Sequence, residues 1–173
     1  MDRRVEKTKT LLYETLISLM AEKENFEQIS IKDIADKANV NRGTIYFHFH
    51  DKYDILDKCI GMHLEKLFIG CAVDTPDSLI SHTFSYLERY SFVFKTLLND
   101  QGATLFRVRM QNIILQSLES HSASNEMPVD IKNHFLASAV IGLLEWWITQ
   151  SMPYSVEDMV MNFSLLVKQL HYE

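Results

Sequence analysis

The chain has 173 residues, of which 47% are hydrophobic and 23% are charged, and it contains only five glycines and three prolines. This composition favours a compact helical globule and excludes a β-sandwich or a disordered chain. The two cysteines, Cys59 and Cys71, are too few for a disulfide framework and lack metal-ligand spacing, which indicates free thiols in a reducing cytoplasm.

The sequence predicts neither a signal peptide nor a membrane span. Residues 1–16 are charged and contain no unbroken apolar stretch. The most apolar run, residues 136–148, includes Ser138 and Glu145 and falls short of the ~18 residues that a membrane span needs. We therefore expect a cytoplasmic protein with no membrane partner.

The formal net charge of −6 is unevenly distributed along the chain. Residues 1–50 carry eight basic and eight acidic side chains, whereas residues 51–173 carry nine basic and fifteen acidic ones. The acidity therefore lies in the C-terminal part. A neutral N-terminal part is compatible with sequence-selective DNA binding but not with strong non-specific binding.

The first predicted helix is amphipathic and covers residues 3–22, with Leu12 and Leu16 among the apolar residues at helical spacing. Ser30 and Asp33 then resemble a capping box, with Asp in the position that Glu usually holds. They predict the start of a second, short helix.

Residues 31–56 are the most informative stretch, because they predict two short helices joined by a tight turn. Ala35 is small where the two helices would cross, and Asn39 tolerates the left-handed conformation that a chain needs to leave a helix. Val40 and Ile45 supply apolar contacts that hold the second helix across the first. A helix held in this way projects one face outward, the geometry with which proteins enter the DNA major groove.

The remaining predicted elements are helical, and we therefore predict an all-α fold. Asn41 and Asp51 would cap the third and fourth helices, and Pro76 marks the start of the C-terminal body. A polar loop is predicted for residues 120–128. The helices are predicted at residues 42–47, 52–71, 79–98, 103–118 and 129–150, with a last one opening at Ser155.

The DNA-binding face is predicted around the third helix. Arg42 and Thr44 are expected near the start of this helix, where side chains reach base edges, and Arg42 is placed to pair with a guanine. Phe47 is placed to contact a thymine methyl group or a sugar. Most of the other side chains are expected to contact phosphates, with Gly43 allowing close backbone approach. The predicted contact residues are Ser30, Lys32, Asn41, Arg42, Gly43, Thr44, Tyr46, Phe47, His48 and Lys52.

Two other interpretations of this region remain. Tyr46 and Phe49 are also suited to an aromatic core, and Phe49 is assigned to it. His48, His50 and Asp51 suggest a metal site, but side chains at i and i+2 diverge on a helix and no third ligand is close in sequence. No metal and no cofactor are therefore predicted.

The string from Gly43 to Leu56 resembles the head of TetR/AcrR-type bacterial transcription regulators, whose pattern is Gly-Thr-x-Tyr-x-x-Phe-x-x-Lys-x-x-Leu. Residues 33–42 match the family as well, with Asn39 in place of the usual Gly. The rest of the chain resembles the family only in length, helicity and an apolar penultimate helix that contains Glu145-Trp146-Trp147. The positions that match the pattern are Gly43, Thr44, Tyr46, Phe49, Lys52 and Ile55-Leu56.

The resemblance implies a head that binds DNA and a body that senses a small molecule. Residues 1–50 are assigned to the helix-turn-helix head, and residues 51–173 to the regulatory and dimerisation body. Residues 51–72 form the helix that links them. The resemblance also implies that the protein binds a palindromic double-stranded DNA operator as a dimer.

Dimerisation is also predicted from the residues themselves. The helix at residues 129–150 is apolar on nearly every face, and such a helix must be covered on both sides. One cover is the protein's own core, and the other is a second copy across a two-fold axis. We therefore predict a homodimer through the last two helices. The alternative is that this helix is the centre of a monomeric bundle.

The resemblance implies a pocket for an effector that the sequence does not identify. Polar anchors are available at Arg107, Arg109, His134 or Glu145. The alternative is that most of the aromatic candidates belong to the core, because aromatics and Met at helical spacing usually do. The candidate lining residues are Phe84, Tyr90, Phe106, Met110, Trp146 and Trp147.

The predicted function is that of a transcriptional regulator, a ligand-responsive repressor. Ligand binding would tilt the linking helix and change the separation of the two recognition helices. The alternative is a co-activator whose body binds a protein partner and not a small molecule. An enzyme is disfavoured, because the chain has no di-iron carboxylate–His motif, no nucleophile elbow and no glycine-rich phosphate loop.

Overall fold

The computed structural model describes residues 3–23, 25–69, 76–98, 102–119 and 128–169, and all of the regular structure within these ranges is helical. The prediction of an all-α fold is confirmed. Before α2 lies a short 3₁₀ turn, Phe26–Gln28. The helices are α1 Arg3–Lys23, α2 Ile31–Ala38, α3 Arg42–His48, α4 Lys52–Ile69, α5 Pro76–Arg89, α6 Ser91–Leu98, α7 Gly102–Glu119, α8 Val129–Thr149 and α9 Val156–Gln169.

The observed helix bounds differ from the predicted ones mainly at residues 79–98. That segment forms two helices, α5 and α6, which meet at Tyr90. The Tyr90 amide still donates to Tyr86 O at 3.0 Å, so the helical hydrogen-bond pattern continues from α5 to this residue. The end predicted for the fourth helix, Cys71, and most of the predicted polar loop lie outside the described residues.

The turn between α2 and α3 has the conformation that its sequence predicts. The capping box is present, with the Ser30 hydroxyl accepting from the Asp33 amide and the Asp33 carboxylate accepting from the Ser30 amide. Asn39 lies in the left-handed region at φ 52° and ψ 47°, and the Val40 amide donates to Ala35 O at 3.0 Å. Ile45 is buried beneath α3 and fixes that helix across α2.

Helix α4 joins the N-terminal helices to the body. It packs on α1 at one end and on α5 and α7 further along. His63 is buried on this helix, with Nδ1 lying 3.0 Å from the Tyr86 hydroxyl of α5. Burial lowers the pKa of His63 to about 4, so the imidazole is neutral at pH 7. Because α1 also packs on α6, the N-terminal helices and the body share one continuous core.

The body consists of helices packed in pairs, α5 with α9 and α7 with α8. Phe84, Phe94, Phe106 and Trp147 are the large aromatic residues at its centre. Helix α8 buries one face in this core and leaves the opposite face exposed. Among the residues described, no helix combines the length and the apolar character needed to cross a membrane.

Candidate nucleic-acid interface

Helix α3 presents one face to the outside because its opposite face is anchored in the core. Ile45 is fully buried, whereas Arg42, Gly43, Tyr46 and Phe47 are all exposed. Tyr46 is therefore a surface residue and not a core aromatic. The helix begins at a cap in which Asn41 Oδ1 accepts from the Gly43 amide at 2.9 Å.

The last residues of α3 form an aromatic chain that runs inward. The Phe47 ring contacts the edge of His48 at a centroid distance of 4.9 Å, and His48 in turn lies 6.3 Å from Phe49. Phe49 is buried and packs on Tyr13 of α1, as the core assignment predicts. Half-buried His48 thus connects an exposed ring to the core. The described residues contain no cluster of three potential metal ligands.

The start of α2 has its polar groups engaged within the protein. The Ser30 hydroxyl accepts from the Asp33 amide and also donates to Asp33 Oδ2 at 2.7 Å. Hydrogen bonds from Ser30, together with Lys23, hold the pKa of the Asp33 carboxyl well below its usual range. Ser30 therefore acts as a cap in the free protein, and its contact with a phosphate stays a prediction.

Two of the four cations between residues 25 and 52 are free of internal partners. Lys32 and Arg42 are exposed and form no ion pair or hydrogen bond with any described residue. Lys37, by contrast, pairs with Glu22 of α1. Lys32 and Arg42 are thus the cations of this surface that are available to a phosphate or to a base.

Lys52 is directed into the protein and not toward solvent. Its Nζ donates to Phe26 O at 3.0 Å and to Glu27 O at 3.1 Å, and it lies 3.3 Å from Glu27 Oε2. The ammonium also lies 4.7 Å from the centre of the Phe26 ring. Only 14% of the side chain is exposed. Lys52 therefore ties α4 to the 3₁₀ turn, and its predicted phosphate contact is untested.

We expect Lys52→Met to lower the free energy of unfolding by about 1.5–3 kcal/mol, because the variant removes hydrogen bonds from a charged donor. Methionine keeps most of the apolar stem that covers Phe26. The matched control is Lys32→Met, which loses no internal partner and should change stability by less than about 0.5 kcal/mol. Urea denaturation at a fixed protein concentration measures both values, and equal stabilities would contradict this role for Lys52.

A small apolar cavity of about 110 Å³ lies within the body, between α5, α7, α8 and α9. Thr83 supplies the one hydroxyl in a lining that is otherwise aliphatic or aromatic. Phe84 is the predicted ligand residue that reaches this cavity. The other lining residues went unpredicted, because aliphatic side chains at helical spacing carry no signal that separates a cavity wall from a filled core. They are Leu79, Ile80, Ile114, Val140, Leu144 and Phe163.

The other five predicted ligand residues lie away from this cavity. Phe106, Met110 and Trp147 are fully buried in the packed core. Tyr90 lies in an aromatic cluster, with its ring centre 5.6 Å from that of His63. Trp146 faces outward, into a groove of about 260 Å³ between α8 and α9. The structure therefore does not bring the six residues together, and their contact with an effector stays a prediction.

The predicted polar anchors are paired with other side chains of the same chain. Arg109 Nε donates to Asp57 Oδ1 at 2.8 Å, and a second guanidinium nitrogen reaches the other carboxylate oxygen, which joins α7 to α4. Arg107 Nε lies 2.7 Å from Glu145 Oε1, but this ion pair is too poorly aligned to count as a hydrogen bond. His134 Nδ1 lies 3.4 Å from the Gln111 amide.

The helix-turn-helix and the helical body together define a family of transcription regulators. Residues 18–59 match the pattern of the bacterial regulatory proteins of the tetR family, and residues 74–169, more than half of the chain, match a transcriptional regulator C-terminal region. The chain belongs to the TetR family, whose members regulate transcription and are not enzymes.

Three similar proteins illustrate this membership. The chain is 22% identical over 172 residues to YxbF, an uncharacterized HTH-type transcriptional regulator of Bacillus subtilis, covering 94% of this chain but only 45% of YxbF. A TetR transcriptional regulator from Streptococcus agalactiae is 28% identical, with 96% of each chain covered and a TM-score of 0.73. Lin0861 from Listeria innocua is 21% identical and shares the fold, with a TM-score of 0.75 over 98% of this chain and 94% of that one.

Proposed function

We propose that this protein is a repressor that binds a palindromic operator as a homodimer and releases it when an effector binds. Residues 1–50 form the proposed DNA-binding head, and residues 51–173 form the proposed regulatory body. The observation that carries this proposal is the outward face of α3, where Arg42, Gly43, Tyr46 and Phe47 are exposed above buried Ile45. The proposed location is the cytoplasm, where bacterial DNA lies.

The proposed contacts divide into those that read bases and those that hold the backbone. Arg42 is free of internal partners and suits bidentate pairing with a guanine. Tyr46 and Lys32 are exposed on either side of the turn and suit phosphate contacts. Asn41 and Ser30 cap α3 and α2 with their side chains in the free protein, and their contacts with the DNA backbone are proposed at these two helix starts.

The proposed dimer interface is the outer face of α8 and α9. On α8 the exposed apolar residues Ile131, Phe135 and Trp146 lie along one stripe, separated by small residues. One of these is Gly142, where an added Cβ would meet nothing within 4 Å, so a second backbone has room to approach. The α9 side adds exposed Met161, Leu165 and Leu166. A face of this kind supports association with a second copy of the same helices.

Regulation is proposed to act through the body cavity and through α4. The cavity lies between the helices that pack against α4 and those that form the proposed interface. The bidentate Arg109–Asp57 pair would pass a shift of α7 to α4, and hence to the separation of the two α3 helices. The volume of the body cavity, about 110 Å³, is small compared with the roughly 300–1,000 Å³ of usual ligand pockets.

That small volume favours the second candidate function, a co-activator whose body binds a protein. Exposed Phe92 on α6 and exposed Val108 on α7 supply apolar surface for such a partner. An effector search separates the two candidates. A small apolar compound that stabilises the protein and weakens operator binding supports the repressor, whereas compounds without either effect support the co-activator.

The test of the proposal is a selection of random duplexes at about 150 mM salt, followed by titration of the selected duplexes. Wild-type protein is expected to enrich a palindrome. Arg42→Ala should weaken binding by about 1–3 kcal/mol and reduce the base specificity at one base pair in each half-site. Tyr46→Ala should weaken binding to all selected duplexes alike.

Two controls accompany this titration. Phe92→Ala removes an aromatic ring that is exposed on the body and should bind as the wild type does. Lys32→Met should reduce the slope of log K against log salt by about one per head. A folded Lys52→Met that also reduces this slope would support the phosphate contact proposed for Lys52, and an unchanged slope would contradict it. No enriched palindrome, or an enriched one that Arg42→Ala and Tyr46→Ala bind as tightly as wild type does, would overturn the proposal.

A further inference from the structure

Gly43 and Phe47 lie one helical turn apart on the face of α3 opposite Ile45. Phe47 is 81% exposed, the highest value for any large apolar side chain among the residues described. Side chains on a helix lean toward its N-terminus, so a side chain at position 47 leans over the turn that contains position 43. We call this feature the Gly43–Phe47 notch, with a glycine floor and an aromatic wall.

Nothing within the folded chain requires a glycine at position 43. The residue has no left-handed backbone conformation, and an added Cβ would meet only Asn41 Oδ1, at an acceptable 3.4 Å. Glycine is also the poorest helix former after proline. Its presence in a helix of seven residues is therefore explained by something outside the chain that approaches this surface.

The aromatic wall is held in place. The Phe47 ring meets His48 nearly at a right angle, with an interplanar angle of 80°, and half-buried His48 is backed by Phe49 in the core. This support fixes an apolar surface before any partner arrives, which reduces the entropy lost on binding. A solvent-exposed apolar ring with such support is suited to an apolar group on the partner.

We propose that the Gly43–Phe47 notch receives the 5-methyl group of one thymine in each operator half-site. This inference rests on the proposed DNA-binding function. The thymine methyl is the one alkyl group on the major-groove edges of the base pairs, so it matches the apolar ring of Phe47. The nearby Asn41 Oδ1 already accepts a hydrogen bond from the Gly43 amide. Phe47 is then a specificity-determining residue, and Gly43 provides the space that the methyl group occupies.

The test replaces thymines of the selected operator by deoxyuridine, one position at a time and symmetrically in both half-sites. Deoxyuridine lacks only the methyl group. One symmetric replacement is expected to weaken wild-type binding about 15-fold, because burying each methyl group is worth about fourfold in affinity. All other symmetric replacements should change affinity less than about twofold, which is smaller than the roughly fourfold effect of burying one methyl group.

The variants assign the effect to the notch. Phe47→Ala should bind the thymine operator more weakly and should bind its thymine and deoxyuridine forms equally. Gly43→Ala occupies the space above residue 43, so it should also weaken binding to the thymine operator. It should bring the affinities for the thymine and deoxyuridine operators closer together. Phe92→Ala should show the same ratio of affinities for the thymine and deoxyuridine operators as the wild type does. Circular dichroism establishes that each variant is folded.

Two results would overturn the inference, and the binding of Phe47→Ala further interprets the first of them. Wild-type protein that binds its operator but tolerates every deoxyuridine replacement has no methyl contact. A full thymine preference in Phe47→Ala places the contact elsewhere. Weaker binding by Phe47→Ala without any thymine preference in the wild type means that the ring packs on a sugar. A failure to select any operator would instead overturn the proposed function, and this inference with it.

Discussion

Phe135→Asp is expected to separate the proposed dimer and to weaken binding to the proposed operator by about 10²–10⁴-fold, the range by which linking two binding modules raises affinity. Phe135 is 62% exposed and belongs to the apolar stripe on α8. In Phe135→Asp an unpaired charge would have to be buried in the proposed interface, at a cost that two protomers cannot recover. Light scattering gives the oligomeric state, and operator titration gives the affinity.

The matched control for this variant is Phe92→Asp. Phe92 has almost the same exposure, 60%, but it lies on α6, which is not part of the proposed α8–α9 interface. It should remain dimeric and bind the operator as the wild type does. A dimer that survives Phe135→Asp with unchanged affinity would place the interface on another face of the body.

Trp147→Ala is expected to lower the free energy of unfolding by about 3–5 kcal/mol, the usual cost of removing a large buried aromatic side chain. The side chain is fully buried, and its ring centre lies 5.2 Å from that of Phe84. The indole N–H donates to Tyr154 O at 3.0 Å, which ties α8 to the loop before α9. In that loop Ser151 and Met152 both have positive φ angles, a conformation that needs such support.

Thermal unfolding at one protein concentration measures this effect. For a chain of this size a loss of this magnitude lowers Tm by roughly 6–20 °C. Trp146→Ala is the matched control, because the neighbouring Trp is 43% exposed and faces the groove between α8 and α9. It should leave the protomer folded and weaken only its association. Equal losses of stability from the two variants would contradict the assignment of Trp147 to the core.

The helix-turn-helix could be predicted from the sequence because its signals are local. The capping pair Ser30 and Asp33 lies within one turn, and Asn39 alone accounts for the left-handed turn. Ile45 is the residue of the short third helix whose burial decides which face is exposed. Each of these signals concerns residues that are close along the chain, so each could be interpreted without knowledge of the packing.

The features that could not be predicted depend on residues distant in sequence. Lys52 looks like a free surface lysine until the fold brings it against the carbonyls of Phe26 and Glu27, which lie some 25 residues earlier. Trp146 and Trp147 are adjacent and chemically alike, and only the packing of α8 decides which one is buried. The cavity likewise depends on how four helices meet, which no single segment encodes.

The ion pairs around the helix-turn-helix bear on how the proposed DNA-binding protein travels through a genome. Because Lys37 is paired with Glu22 and Lys52 with Glu27, two cations of this region are not free to hold the phosphates of unrelated sequences. Weak holding shortens each visit to non-operator DNA, so sliding along the duplex covers little distance before the protein leaves. For the proposed repressor, arrival at the operator would then proceed mainly by diffusion through solution, at a frequency set by the number of dimers in the cell.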